Sequence, residues 1–215
     1  MHVVVIGANG KVARLLGPML DQQGHRVTGI IRNPSHADDV TGAAMHPVVA
    51  DVETLSTEQM TELFAGNDAV VWSAGAGGGN PVRTRAVDRD AAIRSMDAAA
   101  AAGVDRYVMV SFFGSRVDHG VPADSGFFPY AEAKAAADEY LRGTTLAWTV
   151  LGPSGLTNDP GLGTIAVDEA DGGQVPRADV AAVVVATLAE PETIGQTITF
   201  NTGTTPVAEA LRATS

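Results

Sequence analysis

The chain has no cysteine among its 215 residues. Disulfides, cysteine-ligated metals and thiol nucleophiles are excluded, and the composition suits a reducing compartment. Positive charge is also scarce. Lys and Arg total 14 against 25 Asp and Glu, a formal net charge of −11. Such a chain is a poor candidate for non-specific binding to nucleic acid or an anionic membrane, although a small basic spot suffices to hold a phosphate. Long apolar runs are missing as well. The stretch 180–188 falls far short of the ~20 residues that span a bilayer. The N-terminus carries no basic region or cleavage site ahead of its apolar residues, so it reads as a strand and not a signal peptide, and the chain is expected to be cytoplasmic.

What is present describes a folded protein. Apolar residues make up 45% and charged residues 18%, which excludes a disordered chain. No repeat and no internal boundary is visible, so residues 1–215 are read as one domain. Apolar β-rich runs at 3–6, 26–31, 45–50, 68–73, 106–111, 146–151 and 196–200 alternate with helical patterns. The helices are expected near 12–20, 57–65, 81–102, 129–142, 179–190 and 206–212. This alternation predicts an α/β fold of the Rossmann type, doubly wound in three α/β/α layers, with a mostly parallel sheet buried on both faces. The segment 112–128 is a loop long enough to suspect function, and a Gly/Pro-rich loop follows the sixth strand. A small substrate region is expected mainly from 112–128 and 152–175.

The first turn reads Gly7-Ala8-Asn9-Gly10-Lys11-Val12-Ala13, between a strand and a helix. Gly7 permits a tight turn, Gly10 lets backbone N–H groups approach a pyrophosphate, and the helix N-terminus supplies favourable partial charge. A glycine-rich turn is weak evidence alone and strong evidence in this strand–turn–helix–strand setting. After the second strand comes Ile31-Arg32-Asn33. NAD sites want a carboxylate there, whereas a guanidinium pairs with a 2′-phosphate. Arg32, helped by Lys11, therefore argues for NADP over NAD. Asp51-Val52 follow the third strand, where Asp51 either accepts from an adenine amino group, with Val52 on the ring, or closes a turn. Ser73-Ala74-Gly75 follow the fourth strand, and their small size lets a dinucleotide lie across the sheet edge. The glycines at 77–79 are equally readable as a linker.

Tyr130 and Lys134 lie one turn apart on one helix face. An ammonium and a helix N-terminus both favour a phenolate, which suits Tyr130 to acid/base work on a carbonyl or alcohol. The pair is common and usually structural, but here it opens the helix after the strand that Ser111 ends.

Together these residues resemble the atypical short-chain dehydrogenase/reductases, over almost the whole chain. The resemblance rests on the glycine-rich turn, Gly24-His25-Arg26-Val27, Arg32-Asn33-Pro34, Asp51-Val52, Ser73-Ala74-Gly75, Ala86-Val87-Asp88, Tyr107-Val108-Met109-Val110-Ser111, Tyr130-Ala131-Glu132-Ala133-Lys134, Pro153-Ser154-Gly155-Leu156 and Arg177-Ala178-Asp179-Val180-Ala181. It implies that Asp88 stands where better-studied members carry an active-site Asn. It implies Ser111 as a substrate-orienting donor, Tyr130 as acid/base and Lys134 as ribose anchor. It places Pro153, Gly155 and Leu156 against the nicotinamide.

The chain departs from the family pattern at three points. Ala13 replaces the third glycine, and Gly152 stands where an Arg is often found. Phe112-Phe113 follow Ser111 where a second Ser is common, which leaves Ser115 as an alternative hydroxyl. Many members also lack a complete catalytic set. The five histidines show no metal spacing, and Gly152-Pro153-Ser154-Gly155-Leu156 is no nucleophile elbow. Asp118, His119 and Asp124 are lid residues or solvated loop charges. Phe112, Phe113, Phe127 and Phe128 are either a wall for a planar substrate or a hydrophobic tether. The expected function is an NADP-dependent oxidoreductase acting on a small carbonyl, alcohol or flat acceptor, with an epimerase/dehydratase variant using the same parts. A dinucleotide sensor without turnover is the alternative from another class.

Overall fold

The computed structural model describes residues 1–77 and 80–213. Gly78 and Gly79, part of the glycine run read as a linker, lie outside the described residues. Six parallel strands run in the order β3 (His46–Val49), β2 (Arg26–Ile31), β1 (His2–Ile6), β4 (Ala69–Trp72), β5 (Arg106–Val110) and β6 (Ala147–Pro153). The sheet continues with β10 (Gln196–Thr202), parallel to β6, and then β8 (Thr164–Val167) and β11 (Thr205–Pro206), which are antiparallel additions. The order reverses between β1 and β4, which is the switch point where open α/β sheets bind ligands.

Strand period explains the two cores. Val3 and Val5 of β1 face one side of the sheet and Val4 and Ile6 the other. The first side is covered by α1 (Lys11–Gln22), α7 (Arg177–Ala189) and α8 (Val207–Arg212), through Leu16, Leu20, Val180, Val184 and Leu211. The second is covered by α3 (Thr57–Phe64), α5 (Ala92–Ala101) and α6 (Phe128–Arg142), through Phe64, Met96 and Leu141. Fully burying a side chain such as Phe64 stabilises the fold by about 1.5–3 kcal/mol. The alanines of α5 let that helix lie close on the sheet, with Ala92, Ala98 and Ala99 buried. A capping box starts α3: Gln59 N–H donates to Ser56 Oγ and Ser56 N–H to Gln59 Oε1.

Three segments differ from the sequence pattern. A short helix, α2 (Ala37–Gly42), was not expected between β2 and β3. The region after β6 contains a two-stranded parallel ribbon of β7 (Gly155–Thr157) and β9 (Gln174–Pro176), as well as β8. Strands of three or four residues carry too little periodicity to be read against their Gly and Pro content. The long helix expected over 81–102 is α4 (Pro81–Thr84), a π-helical stretch Arg85–Ala91, and α5. π turns within helices are uncommon and concentrate at functional sites. This one carries Asp88.

Candidate active site

A cleft of about 280 Å³ opens at the switch point. Gly7 shapes its floor. Its φ is +82°, and a Cβ there would lie 2.6 Å from Ala74 Cα, so only glycine lets the turns after β1 and β4 touch. Gly7 and Ala8 N–H both donate to Ile30 O, at 3.2 and 3.1 Å. Gly10 N–H donates to Gly7 O at 2.8 Å, so this donor is committed and does not face a pyrophosphate. The role of Gly10 is steric, since a Cβ would meet Gly7 O at 3.0 Å. The first helical bond of α1 runs from Arg14 N–H to Gly10 O, which leaves the N–H groups of Lys11, Val12 and Ala13 ahead of the repeating ladder. Asn9 Oδ1 lines this cleft, buried and without a partner. Ser73, Ala74 and Gly75 form the wall below β4.

At the other end stand Arg32, Asn33, His36, Asp51 and Val52. Arg32 is exposed and makes no ion pair among the described residues. Lys11 does not join it. Lys11 lines a separate cavity with Arg14 and Arg177, because the start of α1 faces residues 158–160. Lys11 and Arg32 thus line different cavities in the cofactor-free chain. Asp51 Oδ1 accepts from Glu53 N–H at 3.1 Å, closing a turn, while the residue still lines the cleft. Arg83 also lines it, held by Glu53 at 3.2 Å. It was missed because nothing in the sequence pairs it with a residue thirty positions away.

Three ionisable side chains are buried beyond β4 and β5: Asp88, Lys134 and Asp138. Asp88 Oδ2 accepts from Ala76 N–H at 3.1 Å. Its Oδ1 has no partner and lies 3.2 Å from where a Gly75 Cβ would sit, at the cleft wall. Burial holds the Asp88 carboxyl above its ordinary pKa, against the opposing pull of the Ala76 N–H, Lys134 and Arg83. Lys134 Nζ donates to Val110 O at 3.0 Å and to Met109 Sδ at 2.9 Å. An ammonium has three donors, so one remains for a ligand. Burial pushes the Lys134 pKa down, opposed by Asp138 and Asp88.

Tyr130 makes no hydrogen bond among the described residues. The sequence suggested a phenolate favoured by Lys134. The geometry gives the opposite. Burial first, then the carboxylates of Asp88 and Asp138, push the Tyr130 pKa up, so the hydroxyl keeps its proton. Ser111 is corrected too. Its hydroxyl donates to Asp138 Oδ2, as does that of Ser115, so neither is a free donor to a substrate. Asp138 went unnoticed in the sequence, although Tyr130, Lys134 and Asp138 recur every fourth residue on an alanine-rich helix.

A second cavity, of about 550 Å³, borders Ser111 and Tyr130. Pro153, Gly155 and Leu156 line this cavity and not the glycine-rich cleft. The rings of Phe112, Phe127 and Tyr130 pack with centroids 5.2–5.6 Å apart. His119 ties down the loop, accepting from Val121 N–H at Nδ1 (3.0 Å) and meeting Glu132 through Nε2 (2.8 Å). A side chain at Gly152 would be tightly placed, since a Cβ would lie 3.1 Å from Thr199 Cγ2 and 3.2 Å from Phe112 O, which would have to give slightly. Among the described residues no cluster of His, Asp and Glu is arranged to hold a metal, and no helix is long and apolar enough to cross a membrane.

Comparison with known proteins agrees with this fold. A Bacillus subtilis protein described as an uncharacterized sugar epimerase is 34% identical over 99% of both chains. A solved Bacillus halodurans protein, described as a candidate NAD-dependent epimerase/dehydratase, superposes with a TM-score of 0.91 at 32% identity over 99% of both chains. The oxidoreductase ylbE of Lactococcus lactis gives a TM-score of 0.89 at 26% identity, over 99% of this chain and 96% of its own. The family model described as NAD(P)H-binding matches residues 7–191, from the glycine of the first turn to the end of α7 and just beyond. The chain belongs to this NAD(P)H-binding family.

Proposed function

We propose that the chain is an NADP-dependent oxidoreductase that moves a hydride to or from a carbonyl or alcohol carbon, with Tyr130 as general acid/base. The observation that carries this reading is the Tyr130 hydroxyl. It has no protein partner, keeps its proton, and borders the second cavity while sensing Asp88 at the wall of the first.

The residues fit the dinucleotide. Asn9 Oδ1 and Asp88 Oδ1 are buried polar atoms without partners, and the turn at Gly7 and Gly10 leaves a cradle that a Cβ would fill. The first-turn N–H groups of α1 would hold the pyrophosphate, Arg32 the 2′-phosphate, Val52 the adenine and Lys134 the nicotinamide ribose. When bound, the cofactor supplies or takes up the hydride. Tyr130 then gives its proton to the carbonyl oxygen in reduction and takes one back in oxidation. Burial and two carboxylates raise the Tyr130 pKa, so its hydroxyl has a proton to donate in the reduction direction. Segments 112–128 and 152–175 form the substrate region, and the chain works in the cytoplasm.

An epimerase or dehydratase variant, in line with the description of the Bacillus subtilis relative, uses the same parts. The second reading is a dinucleotide sensor. Commitment of the Ser111 hydroxyl to Asp138 favours it, because a donor expected on the substrate is missing. One experiment separates the readings. NADPH and NADH are titrated, and a panel of carbonyls, quinones and flavins is then followed for NADPH consumption. Consumption supports the enzyme; tight NADPH binding without consumption leaves the sensor.

A further inference from the structure

The second cavity has a composition that narrows what it accepts. Four of its lining side chains are the rings of Phe112, Phe113, Phe127 and Tyr130. Around them the wall is largely backbone, since Gly155, Gly172 and Gly173 contribute no side chain, and Phe113 lies against Gly172. The rings are tilted 45–87° to one another, so they present both edges and faces to an aromatic ligand, while the glycines let it approach the backbone closely.

The polar groups are few and mostly committed. Both nitrogens of His119 are in use, on Glu132 and Val121 N–H. The Ser111 proton belongs to Asp138, so Ser111 presents only lone pairs. Two hydroxyls remain uncommitted. One is Tyr130, and the other is Ser154, whose Oγ is buried without a partner in a residue only 7% exposed. A buried hydroxyl without a partner costs about 1–3 kcal/mol, so Ser154 Oγ is the polar atom of this wall that the protein itself leaves unsatisfied.

No lining residue is Lys or Arg among the described residues. Arg177, next to this wall in the chain's fold through Leu156, has its guanidinium turned elsewhere. It donates to Leu156 O at 3.2 Å and Asn158 Oδ1 at 2.9 Å, and it lines the other cavity, with Lys11 and Arg14. A phosphate, sulfonate or carboxylate entering the ring-lined cavity would lose water and meet no Lys or Arg on its walls, while the one imidazole there, His119, is already held by Glu132.

We infer that the second cavity takes an uncharged, planar, conjugated carbonyl compound, and that phosphorylated and nucleotide-linked sugars are not its ligands. The inference rests on the oxidoreductase reading for its chemistry, but the binding preference follows from the cavity walls alone. A free sugar fits poorly as well, because its several hydroxyls would meet only Tyr130, Ser154 and the acceptor side of Ser111.

The test is equilibrium binding of naphthoquinone, naphthoquinone sulfonate and UDP-glucose, first to the protein saturated with NADP⁺ and then to the cofactor-free protein. Naphthoquinone is expected to bind, its sulfonate about tenfold or more weaker, and UDP-glucose not at all. Phe127→Ala is expected to weaken naphthoquinone about fivefold while leaving the circular dichroism spectrum unchanged, since aromatic contacts are worth about 0.5–1.5 kcal/mol and Phe127 is 45% exposed. Equal or tighter binding of the sulfonate or of UDP-glucose would overturn the inference, as would no binding of naphthoquinone to either form. Failure of NADP⁺ itself to bind would instead sink the oxidoreductase reading, and the cofactor-free titration would still decide the cavity's preference.

Discussion

Ser111, just past the end of β5, gives its hydroxyl proton to Asp138, one turn beyond Lys134 on α6. This bond ties the strand that ends at the site to the helix that carries Tyr130. Ser115 donates to the same carboxylate oxygen, so the start of the 112–128 loop is fastened at the same point. Asp138 is fully buried. Asp138→Ala would strand both hydroxyls and take a compensating charge away from buried Lys134. The expected cost is about 3 kcal/mol, read from urea unfolding, with a smaller loss for Asp138→Asn, which can still accept one hydroxyl. An alanine variant as stable as the wild type would show that the tether does not hold the site together.

Asp88 gives a pH-dependent prediction. Its carboxyl is pushed above the ordinary Asp pKa by burial, so the native protein binds this proton more tightly than the unfolded chain. Between the unfolded value of about 3.9 and the raised native value, stability therefore falls as pH rises. Asp88→Asn keeps an acceptor for Ala76 N–H and removes the charge. The variant is expected to be more stable than the wild type at neutral pH, with the advantage fading as pH falls through the raised native value and gone below about 4. Urea midpoints across this range measure it. A variant less stable at neutral pH would mean that the Asp88 charge pairs with Lys134 strongly enough to outweigh its burial.

Much of this architecture was legible because local signals agreed with one another. Gly7, Gly10 and the apolar run before them specify a strand, a turn and a helix, and the turn sits where the strand order reverses. Tyr130 and Lys134 could be placed on one face because helical spacing is fixed. The electrostatics were not legible. The state of Tyr130 depends on Asp88 and Asp138, which come from different helices, and the Ser111 proton depends on Asp138. The placement of Lys11 was not legible for a similar reason: it is close in sequence to the cleft, but its side chain lines another cavity. Short strands such as Gly155–Thr157 form only because partners distant in sequence meet them.

Arg32 tests the choice of cofactor. It lines the cleft without an ion-pair partner among the described residues, so its guanidinium is available to a 2′-phosphate. Hydrogen bonds to charged groups contribute about 1.5–3 kcal/mol. Arg32→Ala is therefore expected to weaken NADPH binding about tenfold to a hundredfold and to leave NADH nearly unchanged, as measured by nucleotide fluorescence titration. Arg32→Glu should go further and favour NADH, because a carboxylate repels the phosphate and can accept from a ribose hydroxyl. Equal affinities of the wild type for NADPH and NADH would remove the case for NADP.

On the proposed reading Tyr130 is the general acid/base, and its environment makes two separable predictions. Tyr130→Phe keeps the ring that packs on Phe112 and Phe127, so folding and NADPH binding should persist. Loss of a general acid typically costs about 10²–10⁴-fold in rate, and turnover of a carbonyl substrate should fall by that factor. The second prediction concerns the proton. Burial and the Asp88 and Asp138 carboxylates raise the Tyr130 pKa, and Tyr107 and Tyr140 are raised as well. An ultraviolet titration of the cofactor-free protein should therefore show no tyrosinate below about pH 10, the ordinary tyrosine value. If tyrosinate appeared near neutral pH in the wild type and vanished in Tyr130→Phe, Lys134 would be acting on the hydroxyl after all, and its oxygen would be ready to take up a proton in the oxidation direction. Unchanged turnover in Tyr130→Phe would point to hydride transfer without a tyrosine proton, as onto a ring that takes its proton from water.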